Sequence, residues 1–449
     1  MRVMFQCCFQ KAFFIFLSIA GLKIQAFSQP DGGPKLWSLE ALQEYALNHA
    51  PALERQRLTY ENLVEAVTLA RTKFDPVFTA RQQWNGDDGA GQTQGSVRQT
   101  LPADLELTAS ASVQDQGERG DLTRYAIQLS KTLLGGGSRL ESRLPVIRAM
   151  INEAREFNRL SLEQRRIRFS VTRQYFEVIR SQQTLRLREM QLERAKLNLE
   201  HALVREDPLD IATARLRIPE SALDVTAARR QIHSGLLNLK TEIGFPLSDA
   251  LHLEPDVHFA FESLTLEEDL AHALENHEIL LNNRLDLELL DKELRVARSR
   301  RFPEITAQVS HITRDFSGED ERERDTRGEV VVTWPWLNRR DRAEARQKQN
   351  DLESAGIAYL LAQNERRRDI ENLHSRVMEA ERSVGLQEER VEVLEQQLRL
   401  FQDRWENGEI GILEYIRSQN SFEDAQVQRL TQQLRYLELL AEYRFSVGR

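Results

Sequence analysis

The sequence predicts a mainly α chain with a β-rich part, built as two copies of one unit. Three observations predict this. Two very long stretches carry apolar residues at a seven-residue spacing and almost no proline, shorter segments alternate polar with apolar residues, and the chain resembles itself at a constant offset.

The self-similarity comes first because it organises the rest. Ser38-Leu-Glu-Ala-Leu-Gln-Glu-Tyr-Ala-Leu47 lines up with Thr265-Leu-Glu-Glu-Asp-Leu-Ala-His-Ala-Leu274, and the same offset carries Pro76-Val-Phe-Thr-Ala80 onto Pro303-Glu-Ile-Thr-Ala307. Further on the offset shortens: Leu209-Asp210 meets Leu413-Glu414, and Gly244 meets Gly448. Two pseudo-repeats follow, 37–254 and 264–449, the first with about 23 extra residues between 80 and 209. Each holds a short helix, a second helix (Pro51 to Lys73, and Glu278 to Arg300), a β-rich segment, a very long helix, a tight turn and a last helix. Each last helix ends at a glycine, which suits a left-handed cap because it lacks a Cβ.

The long helices are expected from Arg139 to Arg205 and from Asn338 to Arg404, with Pro145 the one proline, near the start of the first. At 1.5 Å per residue each extends roughly 100 Å. Helices of that length need partners, and the heptads supply them. Ile370, Val377, Val384, Val391 and Leu398 form one series, and Leu373, Ala380, Leu394 and Phe401 a second, broken by Gln387. Val171, Val178, Leu185, Leu192 and Leu199 repeat the spacing in the first helix, and coiled-coil packing is predicted. Tyr175, Phe176 and Trp405 are assigned to that core.

The β segments have period two. Leu105, Leu107, Ala109, Ala111 and Val113 alternate with polar residues, as do Tyr125, Ile127 and Leu129; Ile305, Ala307 and Val309 share a face, and so do Val330, Val332, Trp334 and Trp336. Strands of about ten residues, apolar outward and polar inward, are the pattern of an outer-membrane barrel. Polar stretches at Asn85 to Gly95, Gln114 to Asp121 and Arg314 to Arg327 read as loops facing water.

The first residues read as an export signal, 1–28. Arg2 and Lys11 flank the apolar run Ala12 to Leu22, and Ala26-Phe27-Ser28 offers a cleavage site before Gln29. Cys7 and Cys8 both lie in it, so the mature chain 29–449 has no cysteine for disulfides, thiolate catalysis or zinc-thiolate sites. Acidic residues (70) outnumber basic ones (61), which gives a nucleic-acid partner no support. No other stretch resembles a membrane-spanning helix, so entry into a membrane requires a closed barrel.

In this order of parts the chain resembles the TolC-like outer-membrane efflux protein family. Ser38-Leu-x-x-Ala-x-x-x-Ala-Leu47 with Pro51 is similar to the family's opening helix. Phe74-Asp-Pro76 and Arg301-Phe-Pro303 are similar to its helix-to-strand junctions, and Leu133-Leu-Gly-Gly-Gly137 and Pro335-Trp-Leu-Asn-Arg-Arg340 to its strand-to-helix junctions. The resemblance implies a homotrimer: one outer-membrane β-barrel, set in lipid, continued by a long antiparallel α-helical tunnel. It further implies a periplasmic adaptor and an inner-membrane transporter as partners, and export as the activity. The family's usual contribution is two strands per copy; the first copy here carries an extra pair, near Ser96–Leu101 and Leu105–Val113.

The same resemblance assigns the candidate site. Adaptor hairpins would dock at the two turns, at Glu206, Asp207 and Pro208 and at Asn407, Gly408 and Gly411. The family's aperture acids fall on Glu414, with Asp210 its counterpart in the first copy, while Arg417 stands where a second acid is usual. A ring of Glu414 would attract cations, and Arg417 would offset it. Glu414 and Arg417 also have the spacing of an ordinary pair on a helix surface, and Gly408 and Gly411 are ordinary turn residues. Trp334 and Trp336 suit an aromatic girdle or packing at the barrel-to-helix junction.

No catalytic, cofactor or metal constellation is legible, and neither an enzyme nor a cofactor is expected. The nine His form no HExxH pair, and no phosphate loop or nucleophile elbow is present. Arg366-Arg-Arg368, flanked by Glu365 and Asp369, reads as surface pairing. A periplasmic coiled-coil scaffold is the rival reading; it explains the helices but leaves the alternating segments unused.

Overall fold

The structure is a computed structural model that describes residues 36–84, 91–101, 105–115, 121–134, 139–205, 208–255, 259–317, 322–334 and 336–448. The export signal 1–28 and the turn residues Glu206 and Asp207 lie outside the described residues.

The first half runs α1 (Leu39–His49), α2 (Pro51–Arg71), β1 (Val77–Trp84), β2 (Gly91–Leu101), β3 (Leu105–Asp115), β4 (Asp121–Leu134), α3 (Arg139–Arg205) and α4 (Pro208–Ile243). The second runs α5 (Leu266–Asn276), α6 (Glu278–Ser299), β5 (Glu304–Phe316), β6 (Glu323–Thr333), α7 (Arg339–Glu406) and α8 (Ile412–Val447). The helices have 11, 21, 67 and 36 residues in the first half and 11, 22, 68 and 36 in the second.

Local chemistry sets the helix ends. The Ser38 hydroxyl accepts the Ala41 N–H at 3.3 Å, and Pro51 opens α2 where its missing N–H costs nothing. Asn338 starts α7 in the left-handed region, and its side-chain amide donates to the Arg301 carbonyl at 2.7 Å, tying this start to the end of α6. Gly244 follows α4 at φ +71°; a Cβ there would stand 2.3 Å from the His49 carbonyl oxygen, so both conformation and the close approach of α1 require glycine. Two prolines lie inside helices, Pro145 near the start of α3 and Pro219 within α4, and both helices continue through them.

The heptad series pack inward. Val171, Val178, Ile370, Leu373, Val377, Ala380, Val384 and Val391 are buried. Tyr175, Phe176 and Trp405 are core residues as expected. The short helices thicken this core: α1 adds Leu42 and Ala46 against Ile167, Tyr175 and Leu239, and α5 adds Ala273 against Ile370, Tyr436 and Tyr443. Along the bundle α3 packs on α4 and α8, and α8 on α7, leaving α4 and α7 as the two flanks.

The strands form one six-stranded antiparallel sheet in the order β1-β2-β3-β4-β5-β6. The expected extra pair is present as β2 and β3, and it lies inside the sheet between β1 and β4. Strand ends differ from expectation. Gly91–Gly95 belongs to β2, Gln114 and Asp115 to β3, and Arg314–Phe316 and Glu323–Arg327 to β5 and β6. At these ends both faces of the sheet are polar, with Arg324 and Thr326 on the side of Phe78 and Glu323 and Asp325 on the other, so their composition resembles a loop although the pairing continues.

Candidate functional site

Direct pairing fixes which side chains share a face of the sheet. One row runs Phe78, Val97, Ala109, Ile127, His311 and Thr326 across all six strands, and a second runs Ala80, Gly95, Ala111, Tyr125, Thr313 and Arg324. With Val309, Val330 and Val332, this face exposes Phe78, Tyr125 and Ile127, at 78%, 53% and 56%. Large apolar side chains left this bare mark a surface meant for something other than water. Its small residues floor a shallow groove of about 650 Å³ between Phe78, Tyr125 and Ile127.

The opposite face is polar. The row Arg81, Gln94, Ser112, Arg124, Arg314 and Glu323 crosses the sheet, and Thr100, Glu106, Ser130, Gln308 and Glu329 form another. Arg98 pairs with Glu106 at 3.0 Å and Arg314 with Glu323 at 3.0 Å on this side. The sheet therefore has one mainly apolar side and one polar side. No helix among the described residues is long and apolar enough to cross a membrane.

At the far end of the long helices the turn between α7 and α8 is built by its backbone. The Gly408 and Glu409 N–H groups donate to the carbonyls of Trp405 (3.0 Å) and Arg404 (2.9 Å), and Gly408 sits at φ +76°. That is a Schellman ending, with Gly408 in the one position that disfavours a side chain. Gly411, which precedes α8, has an ordinary φ of −76°, and a Cβ on it would meet nothing within 4 Å. Trp405 stacks on Tyr415 with ring centroids 4.8 Å apart, and His201 meets the Trp405 edge at 5.6 Å. Ala202, Ala214, Ile412 and Ile416 complete this plug.

Polar layers lie above the plug. Asn198 donates to Gln419 at 3.0 Å in a fully buried contact, Arg194 to Glu423 at 2.7 Å, and Arg217 to Asn420 at 2.9 Å. Burial pushes the Glu423 carboxyl up despite the opposing pull of Arg194. A cleft of about 420 Å³ opens here between Arg194, His201, Trp405, Tyr415 and Gln419.

The flanks carry apolar stripes at this same end. Leu216 and Leu223 on α4 stand 62% and 70% exposed, one heptad apart, and Leu386, Val393 and Leu400 on α7 stand 61%, 57% and 64% exposed at the same spacing. Both sets face away from the helices already paired.

Among solved structures, the chain is similar to CusC, described as forming a transmembrane channel, with 13% identity, 94% of this chain and 95% of that one covered and a TM-score of 0.70. The Neisseria gonorrhoeae MtrE outer membrane channel in its open state matches at 17% identity, with 91% and 88% covered and a TM-score of 0.68. The outer membrane protein VceC from Vibrio cholerae matches at 14%, with 91% and 96% covered and a TM-score of 0.68. The chain has the TolC-like channel fold. No family model matches the sequence, and no curated protein matches it either.

Within the TolC-like fold the predicted site residues fall as follows. Glu414 and Arg417 are exposed near the start of α8, and neither side chain has an ion-pair partner among the described residues, so the surface pair between them does not form. Asp210 is half-buried at the start of α4. Pro208, Asn407, Gly408 and Gly411 are exposed at the turns. Trp334 and Trp336 are 61% and 84% exposed with ring centroids 6.1 Å apart, just past β6.

Sequence reading missed the polar layers, because Arg194, Asn198, Gln419 and Glu423 look like any solvated helix face in a chain this charged. It also misplaced Arg366. Arg368 does pair at the surface, with Asp369 at 3.3 Å. Arg366 instead turns inward beside Arg165 and His277, and burial lowers its pKa. Arg165 is held there by Glu278.

Proposed function

We propose that the protein is the outer-membrane exit duct of a tripartite efflux or type I secretion system. A periplasmic adaptor and an energised inner-membrane transporter supply substrate and drive, and three copies of this chain supply the passage. The single observation that carries the reading is the two-faced sheet, with Phe78, Tyr125 and Ile127 bare on one side and a charged row on the other, continued by four long helices. A periplasmic scaffold leaves that apolar face without a use.

In this reading 1–28 directs export, 29–449 is the duct, and 37–254 and 264–449 are two copies of one unit. The apolar sheet face meets outer-membrane lipid, with Trp334 and Trp336 at the membrane interface. Three chains close the helical tunnel by laying the α4 stripe of one copy against the α7 stripe of the next, antiparallel and at the same height. The duct works without cofactor or metal. Adaptor hairpins dock at Glu206, Asp207 and Pro208 and at Asn407, Gly408 and Gly411, and Glu414, Arg417 and Asp210 line the aperture.

The deciding experiment is cell fractionation followed by native mass in detergent. Three chains in an outer-membrane particle are expected; a soluble monomer or dimer in the periplasm would end the proposal. In that particle, Glu414→Gln lowers the preference for cations and Arg417→Gln raises it, read as opposite shifts of reversal potential in planar bilayers.

A further inference from the structure

We infer that three copies of this chain close an eighteen-stranded barrel, in which the β2–β3 hairpin forms two full staves of the wall. The inference rests on the channel reading and deepens it.

The hairpin is not an appendage. β2 is hydrogen-bonded to β1 from Val77↔Arg98 to Trp84↔Gly91, and β3 to β4 from Leu105↔Lys131 to Asp115↔Asp121. Both faces of the sheet run through it without a break. Val97 and Ala109 continue the apolar row from Phe78 to Ile127, and Gln94 and Ser112 continue the polar row from Arg81 to Arg124. A hairpin folded outside or inside the wall would present one kind of surface on both sides, and it would not bridge β1 to β4. Its strands have 11 residues each, the length that spans a bilayer when tilted.

Six strands cannot close alone, since membrane barrels start at eight. The two edges, β1 and β6, each bond on one side only, and hydrocarbon does not admit an open edge. The strands alternate in direction and are even in number, so β6 of one copy meets β1 of the next antiparallel. The edges are also complementary in charge. Arg81 on β1 and Glu329 on β6 share the polar face, and neither has an ion-pair partner among the described residues.

Barrel diameter grows about linearly with strand number, so eighteen strands enclose a pore roughly half as wide again as the twelve that remain without the hairpin. The four long helices per copy are untouched by the insertion. Size selection then belongs to the turn end of the tunnel, not to the membrane.

The test is electron cryo-microscopy of the full mature chain in lipid nanodiscs, counting strands in a section through the barrel. A second sample carries a deletion of 91–120, which removes one strand of each direction and leaves β1 next to β4 antiparallel. Eighteen strands in three copies, and twelve in a trimeric deletion variant whose barrel is about a third narrower, are expected. Twelve strands in the undeleted trimer, with β2–β3 folded off the wall, overturn the inference and leave the channel reading standing. A particle of another copy number, or no barrel, overturns both. If the deletion variant fails to fold, the count in the undeleted protein still decides.

Discussion

Arg194 on α3 and Glu423 on α8 are hydrogen-bonded at 2.7 Å across the turn end of the bundle, where the Glu423 side chain keeps 7% of its surface. Burial raises the Glu423 pKa, and Arg194 and Gln191 only partly counter it. A carboxyl with a raised folded pKa favours the protonated protein, so its contribution is greatest at acid pH and is lost as pH rises through the folded value. Glu423→Gln should therefore gain thermal stability relative to the parent as pH moves from about 4 towards 7. Arg194→Ala should cost about 1–3 kcal/mol at pH 7, because it leaves the buried Glu423 carboxylate without its hydrogen-bond donor. Melting curves of the purified protein across pH check both, and parallel curves for the parent and Glu423→Gln would count against the burial argument.

His277 has the opposite sign. It caps α6, accepting the Ile279 N–H at 3.3 Å, and burial beside Arg366 and Arg165 lowers its pKa to about 3. It stays neutral when folded but protonates at about 6.5 when unfolded, so stability is complete above that value and falls as pH drops from 6.5 towards 3. The loss approaches about 1.4 kcal/mol per pH unit within this window. His277→Asn keeps a capping acceptor and removes the titration, and its melting temperature should be flatter over that range.

Gly408 and Gly411 look alike in the sequence and differ in the structure. Gly408→Ala places a Cβ at φ +76° and should cost about 1 kcal/mol, with faster proteolysis at the turn. Gly411→Ala meets neither strain nor a neighbour and should leave stability unchanged. Comparing the two by limited proteolysis separates turn geometry from partner contact: a Gly411 variant that is stable but inactive in export points to the partner.

The flank stripes make a third contrast. Leu216→Glu on α4 and Val393→Glu on α7 place charge on exposed positions and should barely change a lone chain. In a closed tunnel they sit at the junction between copies and should shift the native mass from three chains towards one. Unchanged trimers in both variants would place the junction elsewhere.

Much of the fold was legible because two periods dominate it. The seven-residue spacing at Ile370, Val377 and Val384 and the two-residue spacing at Leu105 to Val113 mark a buried side and an apolar sheet face directly. Strand ends were not legible, since Gly91–Gly95 and Glu323–Arg327 lack apolar residues on both faces and so resemble loop composition. Sign of charge also says nothing about depth: Arg366 and Arg368 are two residues apart, yet one packs beside His277 and the other meets solvent. Glu423 was hidden for the same reason, because a helix turns each acid inward or outward only through its neighbours.

The hairpin between β1 and β4 also speaks to how such a wall changes over evolutionary time. An antiparallel wall grows most simply by pairs, since a single added strand would set two neighbours parallel, and parallel neighbours need a crossover connection in place of a tight turn. In the proposed trimer every insertion is multiplied by three, so one added hairpin supplies six staves at once. On that reading the bore changes in coarse steps, while the helical half keeps its sequence unaltered.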